Sequence, residues 1–238
     1  MKTFTPTTEK EMIDTLTGIF EGGSYCALAD SPTDIRGGLS FGKHQVSEIQ
    51  GTLVTLLKNY VTNPGASQAS VAALDTHIAL FNSDGTRYTG TPVQRDAFKR
   101  ALKAACTDPV MQKVQDEYFD AVYYTPAMRN AVDFGIQTAL GRSIFYDIAI
   151  QAGPKRLTFY SAALNRWNAE NPGTVPEEKT FLRYVNAARR NAMRKSMSRD
   201  YQASVYRPDE YDKLLEQGNL NLTGDFVFRG CSIKGLPS

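Results

Sequence analysis

The stretch FEGGSYCALADSPTDIRGGLSFGKHQ, Phe20 to Gln45, sets a lone glutamate at a predicted helix end and an aspartate in a glycine-rich loop. With two Asp, five Gly, an Arg, a Lys and a His, it is too polar for a core segment. Upstream, Thr8-x-x-Glu11 predicts a capping box that opens a helix. Met12, Ile13, Leu16, Ile19 and Phe20 give that helix an apolar stripe, and Gly22-Gly23 stops it. From Ser24 to Gly42 the chain is turn-rich, with a short hairpin around GGLSFG.

Downstream the pattern is helical. Helices are predicted over about 44–62, 67–81, 93–106, 109–123, 126–152, 155–169, 177–199 and 208–217, punctuated by Pro and Gly. The late FVF reads as a small strand. The fold class is therefore mainly α with a small β element. Residues 1–238 are expected to form one domain of two helical lobes that share a cleft.

Hydrophobic residues make up 42% of the chain and charged residues 22%, the balance of a soluble globular protein. The net charge of +2 is spread along the chain, too weak for a nucleic-acid partner. No apolar run reaches the roughly 18 residues of a membrane span, so no membrane insertion is expected. The N-terminus lacks the apolar core of a signal peptide. Synthesis in the cytoplasm, then action on a cell wall after export or lysis, is the expectation. Cys26, Cys106 and Cys231 allow at most one disulfide, and their wide spacing favours free thiols.

Zinc-protease, nucleophile-elbow, Walker and dinucleotide motifs are absent, and the two histidines lie far apart. NSDGT, residues 82–86, lacks the glutamate that would complete a calcium loop and reads as a turn. No cofactor or metal is expected. Carboxylates remain as the acid–base groups. Glu21 sits where the helix macrodipole disfavours an ionised carboxylate, the push a general acid near neutral pH requires, although a solvated helix-end carboxylate is its commoner use. Asp34, in a loop whose glycines let backbone approach a substrate, can stay ionised and act as base, although an Asx turn is its commoner use.

Asp30, before Ser31-Pro32, reads as a turn residue. Asp147 falls on the apolar face of its helix with Leu140 and Ile144, so it needs an internal arginine. Lys43-His44-Gln45 opens the second predicted helix with side chains long enough to contact sugars. Trp167, Tyr123 and Tyr124 offer rings for sugar stacking or for ordinary packing. RYVNAARRNAMRKSMSRD, from Arg183, reads as a solvated basic helix face.

Three segments together resemble glycoside hydrolase family 46, the chitosanase-type enzymes of the lysozyme-like superfamily. They are Glu21 followed by DIRGGLS from Asp34, then FYDIAIQAG, then SVYRPDEYDKLLEQGNLNL. The resemblance implies a lysozyme-like two-lobed fold with a substrate cleft and an inverting mechanism. It makes Glu21 the general acid and Asp34 the general base. Ser40 falls near a water-holding hydroxyl residue, after a one-residue insertion in the glycine pair. Asp147 and Arg207 match members of a supporting charge network, which supplies the arginine that Asp147 needs. Tyr25, Arg36, Lys43 and His44 are the candidate substrate-binding residues.

GLSFGKHQ looks like the variant in relatives that cut peptidoglycan, and Lys43 and His44 beside the base would repel a cationic sugar. The expected function is thus hydrolysis of β-1,4 bonds in peptidoglycan, an antibacterial muramidase activity, with an immunity protein as the partner this leaves open. Chitosan hydrolysis is the alternative, and a non-catalytic glycan-binding protein on the same fold is the second.

Overall fold

The computed structural model describes residues 1–30 and 38–237. In chain order the elements begin with β1 (Thr3–Phe4), α1 (Glu9–Glu21), β2 (Leu28–Asp30), β3 (Leu39–Phe41) and β4 (Val46–Ser47). Helices α2 (Thr52–Val61), α3 (Gln68–Ile78), α4 (Pro92–Ala105) and α5 (Pro109–Phe119) follow. A π-helical turn (Asp120–Tyr124) leads into α6 (Thr125–Asp133), α7 (Ala139–Ala152), α8 (Thr158–Glu170), α9 (Glu178–Arg194), α10 (Arg199–Ala203) and α11 (Tyr206–Gln217). Strands β5 (Phe226–Phe228) and β6 (Cys231–Ile233) close the chain.

The chain divides into two compact units, one of residues 1–20 and 122–238, the other of residues 21–121. The first is built on α7, whose Leu140, Ile144, Phe145 and Ile148 are buried among Met12 and Leu16 of α1, Phe181, Leu182 and Val185 of α9, and Tyr211, Leu214 and Leu215 of α11. Its sheet runs β1-β6-β5, with β1 parallel to β6 and β5 antiparallel to it. The second unit carries the antiparallel sheet β2-β3-β4 and helices α2–α5, with Phe41, Leu53, Leu57, Tyr60, Phe98 and Leu102 buried.

Local signals read from the sequence explain α1. Glu11 N–H donates to Thr8 Oγ1 at 3.2 Å, while Glu11 Oε2 accepts from the Thr8 and Thr7 backbones at 3.3 and 2.7 Å. The Thr7 hydroxyl, which donates to Glu11 Oε2 at 2.7 Å, and the Thr7 backbone bond hold the Glu11 carboxyl below its ordinary range. Gly22 and Gly23 at φ 89° and 59° end the helix as the left-handed region allows.

The helix predicted over 44–62 is corrected. Residues 44–51 are turn and strand, because Gln45 takes φ 60° and Gly51 takes φ 69°, neither compatible with an α-helix. Helix formation starts only at Thr52. The helix predicted over 126–152 is two, broken at Gly135 (φ 73°) and restarted by the Thr138 hydroxyl, which accepts from Gly141 N–H. The helix predicted over 177–199 ends early, at Arg194, and a separate short α10 starts at Arg199 with Ser198 as its cap. NSDGT forms an Asx turn, in which Asp84 accepts from the Thr86 backbone and hydroxyl at 3.1 and 2.6 Å.

The expectation of free thiols is also corrected. Cys26 and Cys106 form a disulfide with Cα atoms 5.1 Å apart, and Cys231 stays free. Wide spacing misled because the fold, not the sequence, brings α4's end beside the loop after α1. Closing a loop of 80 residues removes enough chain entropy to stabilise the protein by about 4–5 kcal/mol in the loop-closure picture. The Cys26→Ser, Cys106→Ser double variant is expected to unfold at lower denaturant by about 2–5 kcal/mol in urea titration; an unchanged midpoint would contradict the bridge's role.

Candidate active site

Two clusters, one in each unit, hold the residues that the sequence singles out. The first lies on and around β3. Strand alternation buries Leu39 and Phe41 and turns Ser40 to the other, half-exposed face, opposite Ala29 of β2 and Ser47 of β4. After β3 the chain turns at Gly42, φ 87°, with Gln115 of α5 packed against it. A Cβ there would lie 2.4 Å from Gln115 Oε1, so this turn tolerates only glycine. Gln115 is completely buried and staples two loops: its oxygen accepts from Lys43 N–H at 2.9 Å and its amide donates to the Tyr25 carbonyl at 3.1 Å.

Lys43 does not present a bare charge. Its Nζ lies 3.0 Å from Asp116 Oδ1 and 5.4 Å from the centroid of the Tyr25 ring. The Tyr25 hydroxyl donates to Asp116 Oδ2 at 2.7 Å; burial, then that bond, pushes the phenol's pKa up. His44 is buried and meets the Phe119 ring edge-on at 4.8 Å.

Asp34 and Arg36 lie outside the described residues, but the chain on both sides of them is pinned. Asp30 ends β2 and is gripped by Arg95 of α4, whose Nη2 lies 2.7 Å from it, with Lys99 Nζ at 3.3 Å. The bond from Arg95 holds the Asp30 carboxyl below its usual range. Leu39 N–H donates to Glu48 at 2.9 Å, and Glu48 also takes Arg95 at 2.9 Å and the Tyr88 amide at 2.7 Å. Asp30 is therefore an ion-paired anchor and not the plain turn residue expected. Glu48, buried with three donors, has no local signal in the sequence, because its partners Arg95 and Tyr88 lie 47 and 40 residues away.

The second cluster lies in the other unit. Asp147 of α7 is fully buried between two arginines: Arg207 Nη2 reaches Oδ1 and Arg189 Nη2 reaches Oδ2, each at 2.5 Å. Gln151, one turn on, accepts from Arg189 Nε at 3.1 Å. Burial raises the Asp147 pKa, but the two guanidinium charges and their hydrogen bonds outweigh it and hold the group below its ordinary value. Arg207 of α11 also stacks on Phe20 of α1, 4.8 Å from the ring centroid.

The solvated basic face expected of the run from Arg183 is thus corrected at one residue. Arg189 is 0% exposed. The signal was present: Leu182, Val185, Arg189 and Met193 share a 3–4-residue spacing, so Arg189 falls on the buried stripe of α9.

Glu21 is the last residue of α1. The rings considered for sugar stacking are engaged in packing. Trp167 meets Tyr184 edge-on and donates from its indole to the Thr174 carbonyl at 3.2 Å, while Tyr124 packs on buried Tyr146. Among the described residues no group of acidic, histidine or cysteine side chains is arranged to hold a metal ion, and no helix is long and apolar enough to cross a membrane.

Comparison with known proteins gives a consistent relationship. The sequence profile of glycosyl hydrolase family 46 matches residues 55–226. A chitosanase of Bacillus subtilis (strain 168) is 30% identical over 141 residues, 56% of this chain and 50% of the relative. A chitosanase of Streptomyces sp. (strain N174) is 29% identical over 136 residues, 56% of this chain and 46% of the relative. The chain thus spans about half the length of the relatives it matches. In fold it is similar to a Gynuella sunshinyii chitosanase solved with chitotetraose, at TM-score 0.74, 20% identity and coverage of 95% of this chain and 97% of that one. A Bacillus subtilis MY002 chitosanase gives 0.73, 23%, 93% and 94%. Asp147, Arg189 and Arg207 lie inside the matched profile, whereas Glu21, Asp34 and Ser40 precede it.

These relatives overturn the peptidoglycan expectation: both curated sequences and both structures carry the name chitosanase. The electrostatic premise behind it fails as well. Lys43 is ion-paired with Asp116 and His44 is buried, so neither offers the open positive charge that would repel a cationic sugar. The antibacterial role and the immunity protein rested on peptidoglycan and go with it.

Removing one partner of a buried pair leaves the other charges uncompensated. Asp147→Asn is expected to cost about 3–5 kcal/mol of unfolding free energy at neutral pH in urea titration. Because the folded-state pKa is depressed, this stabilisation is complete above the unfolded value near 3.8 and is lost as pH falls below it. The gap between wild type and variant should therefore close in acid; a gap independent of pH would contradict the ion-pair account.

Proposed function

Because the chain belongs to glycosyl hydrolase family 46, we propose that it hydrolyses the β-1,4 bonds of chitosan, with Glu21 as general acid and Asp34 as general base. The observation that carries the substrate is the chitosanase name shared by the two sequence relatives. Charge distribution supports it. The unit of residues 21–121 has 11 acidic against 9 basic residues, a net −2, although the whole chain is +2. A polycationic sugar chain suits that unit better than the total charge suggests.

In this reading the Glu21 carboxyl gives its proton to the glycosidic oxygen as the bond to the anomeric carbon breaks. Asp34 takes a proton from the water that attacks that carbon from the opposite face, and the configuration inverts. Such a pair works about 6.5–9.5 Å apart, which leaves room for one water. Ser40, on the half-exposed face of β3, helps to hold that water. Tyr25 and Lys43, locked on Asp116, are the described residues proposed to contact the sugar chain. Asp147 and Arg207 act at a distance, through the helix that ends in Glu21. The disulfide fits a place of action outside the reducing cytosol.

Purified protein should release reducing ends from chitosan and not from cell-wall sacculi. Glu21→Gln should lower turnover by about 10²–10⁴-fold, with affinity for a chitosan oligosaccharide retained. Release from sacculi alone, or undiminished turnover in the variant, would contradict the proposal.

A further inference from the structure

We propose that Arg229 is a positioning residue for the catalytic acid: its guanidinium clamps the C-terminal turn of α1 and so fixes where the helix delivers Glu21. The inference rests on the reading of Glu21 as general acid.

Arg229 and Gly230 form the two-residue loop between β5 and β6, with Phe228 paired to Cys231 across it. Their φ angles are 48° and 73°. Two consecutive positive values mark the hairpin turn that Asn-Gly or Gly-Gly fits best, and a long L side chain at the first position is strained. A residue that breaks its local rule is expected where its side chain is needed for something else.

The side chain shows what that is. Arg229 Nη1 donates to the Ile19 carbonyl at 3.0 Å, across 210 residues of sequence. Its guanidinium carbon lies 5.5 Å from the centroid of Phe20 and 4.5 Å from that of Tyr206. Phe20 also meets Arg207 at 4.8 Å, so two guanidinium groups grip the residue next to Glu21. Helix α1 needs such help. Its last-turn carbonyls have no intrahelical partner, the macrodipole there is negative, and the turn contains no basic residue of its own. Arg229 supplies a donor to one of those carbonyls from the far end of the chain, and its own N–H is held by Glu210 Oε2 at 3.3 Å.

The substitution that isolates this role is Arg229→Gly. Glycine relieves the positive φ, so the hairpin should form at least as well and the melting temperature should not drop by more than a degree or two. The clamp alone is lost. Amide hydrogen exchange at residues 18–21 should then quicken several-fold. On chitosan, kcat should fall at least about tenfold with KM little changed, because misplacing a proton donor hurts the transition state and not substrate binding. Arg229→Lys, which keeps a cation that can reach the Ile19 carbonyl, should recover part of the lost kcat.

Unaltered exchange in the α1 terminus, or a kcat within twofold of wild type in Arg229→Gly, would overturn the inference. So would a parallel loss of kcat and melting temperature, which marks a purely structural tie. Quickened exchange in a protein whose wild type turns over no chitosan would instead sink the reading of Glu21 and leave Arg229 no acid to position.

Discussion

A carboxylate buried between two arginines is the constraint on which the larger unit depends. Asp147 sits in the middle of α7, the helix around which α1, α9 and α11 pack, and it is fully buried. Arg189 comes from α9 and Arg207 from α11, so one carboxylate fixes three helices at a single point. Directionless apolar packing would allow those helices to slide; short charge-assisted bonds do not. The Gln151 oxygen adds a further bond on Arg189. Such a cluster is a weak source of net stability compared with a well-packed apolar core, and its better-attested use is to specify one arrangement.

That arrangement reaches α1 through Arg207, which bonds Asp147 with one edge and stacks on Phe20 with its face. The last turn of α1 is thereby tied to the centre of the unit, and Glu21 follows directly. In the other unit a parallel logic pins the described chain on both sides of residues 31–37. Arg95 joins Asp30 before them to Glu48, and Glu48 holds the Leu39 amide after them. Phe20, which precedes Glu21, and Asp30, which precedes residues 31–37, are thus each held by a buried or half-buried arginine.

What the sequence showed was what depends on neighbours in the chain. The Thr8–Glu11 box, the glycines that stop α1 and the apolar face of Asp147 are local patterns, and their physics is local. The second helix misled because 44–51 has helical composition, but tertiary bonds to Glu48 and the positive φ of Gln45 and Gly51 decide its shape. Arg189 was hidden for a different reason: its charge outweighed the stripe position that marks it as buried. Cys26 with Cys106, Gln115 with Gly42, and Arg229 with Ile19 are long-range partners that no spacing rule reaches. Lys43 illustrates the cost of that blindness, since the charge that favoured an anionic polymer is matched by an aspartate 73 residues away.

The configuration of the first product tests the account most directly, because only an acid and a base separated by one water invert. Following the anomeric protons during the opening minutes of chitosan oligosaccharide hydrolysis should show new reducing ends appearing as the α anomer, with the β anomer arriving later by mutarotation. New ends that appear first as β would contradict it.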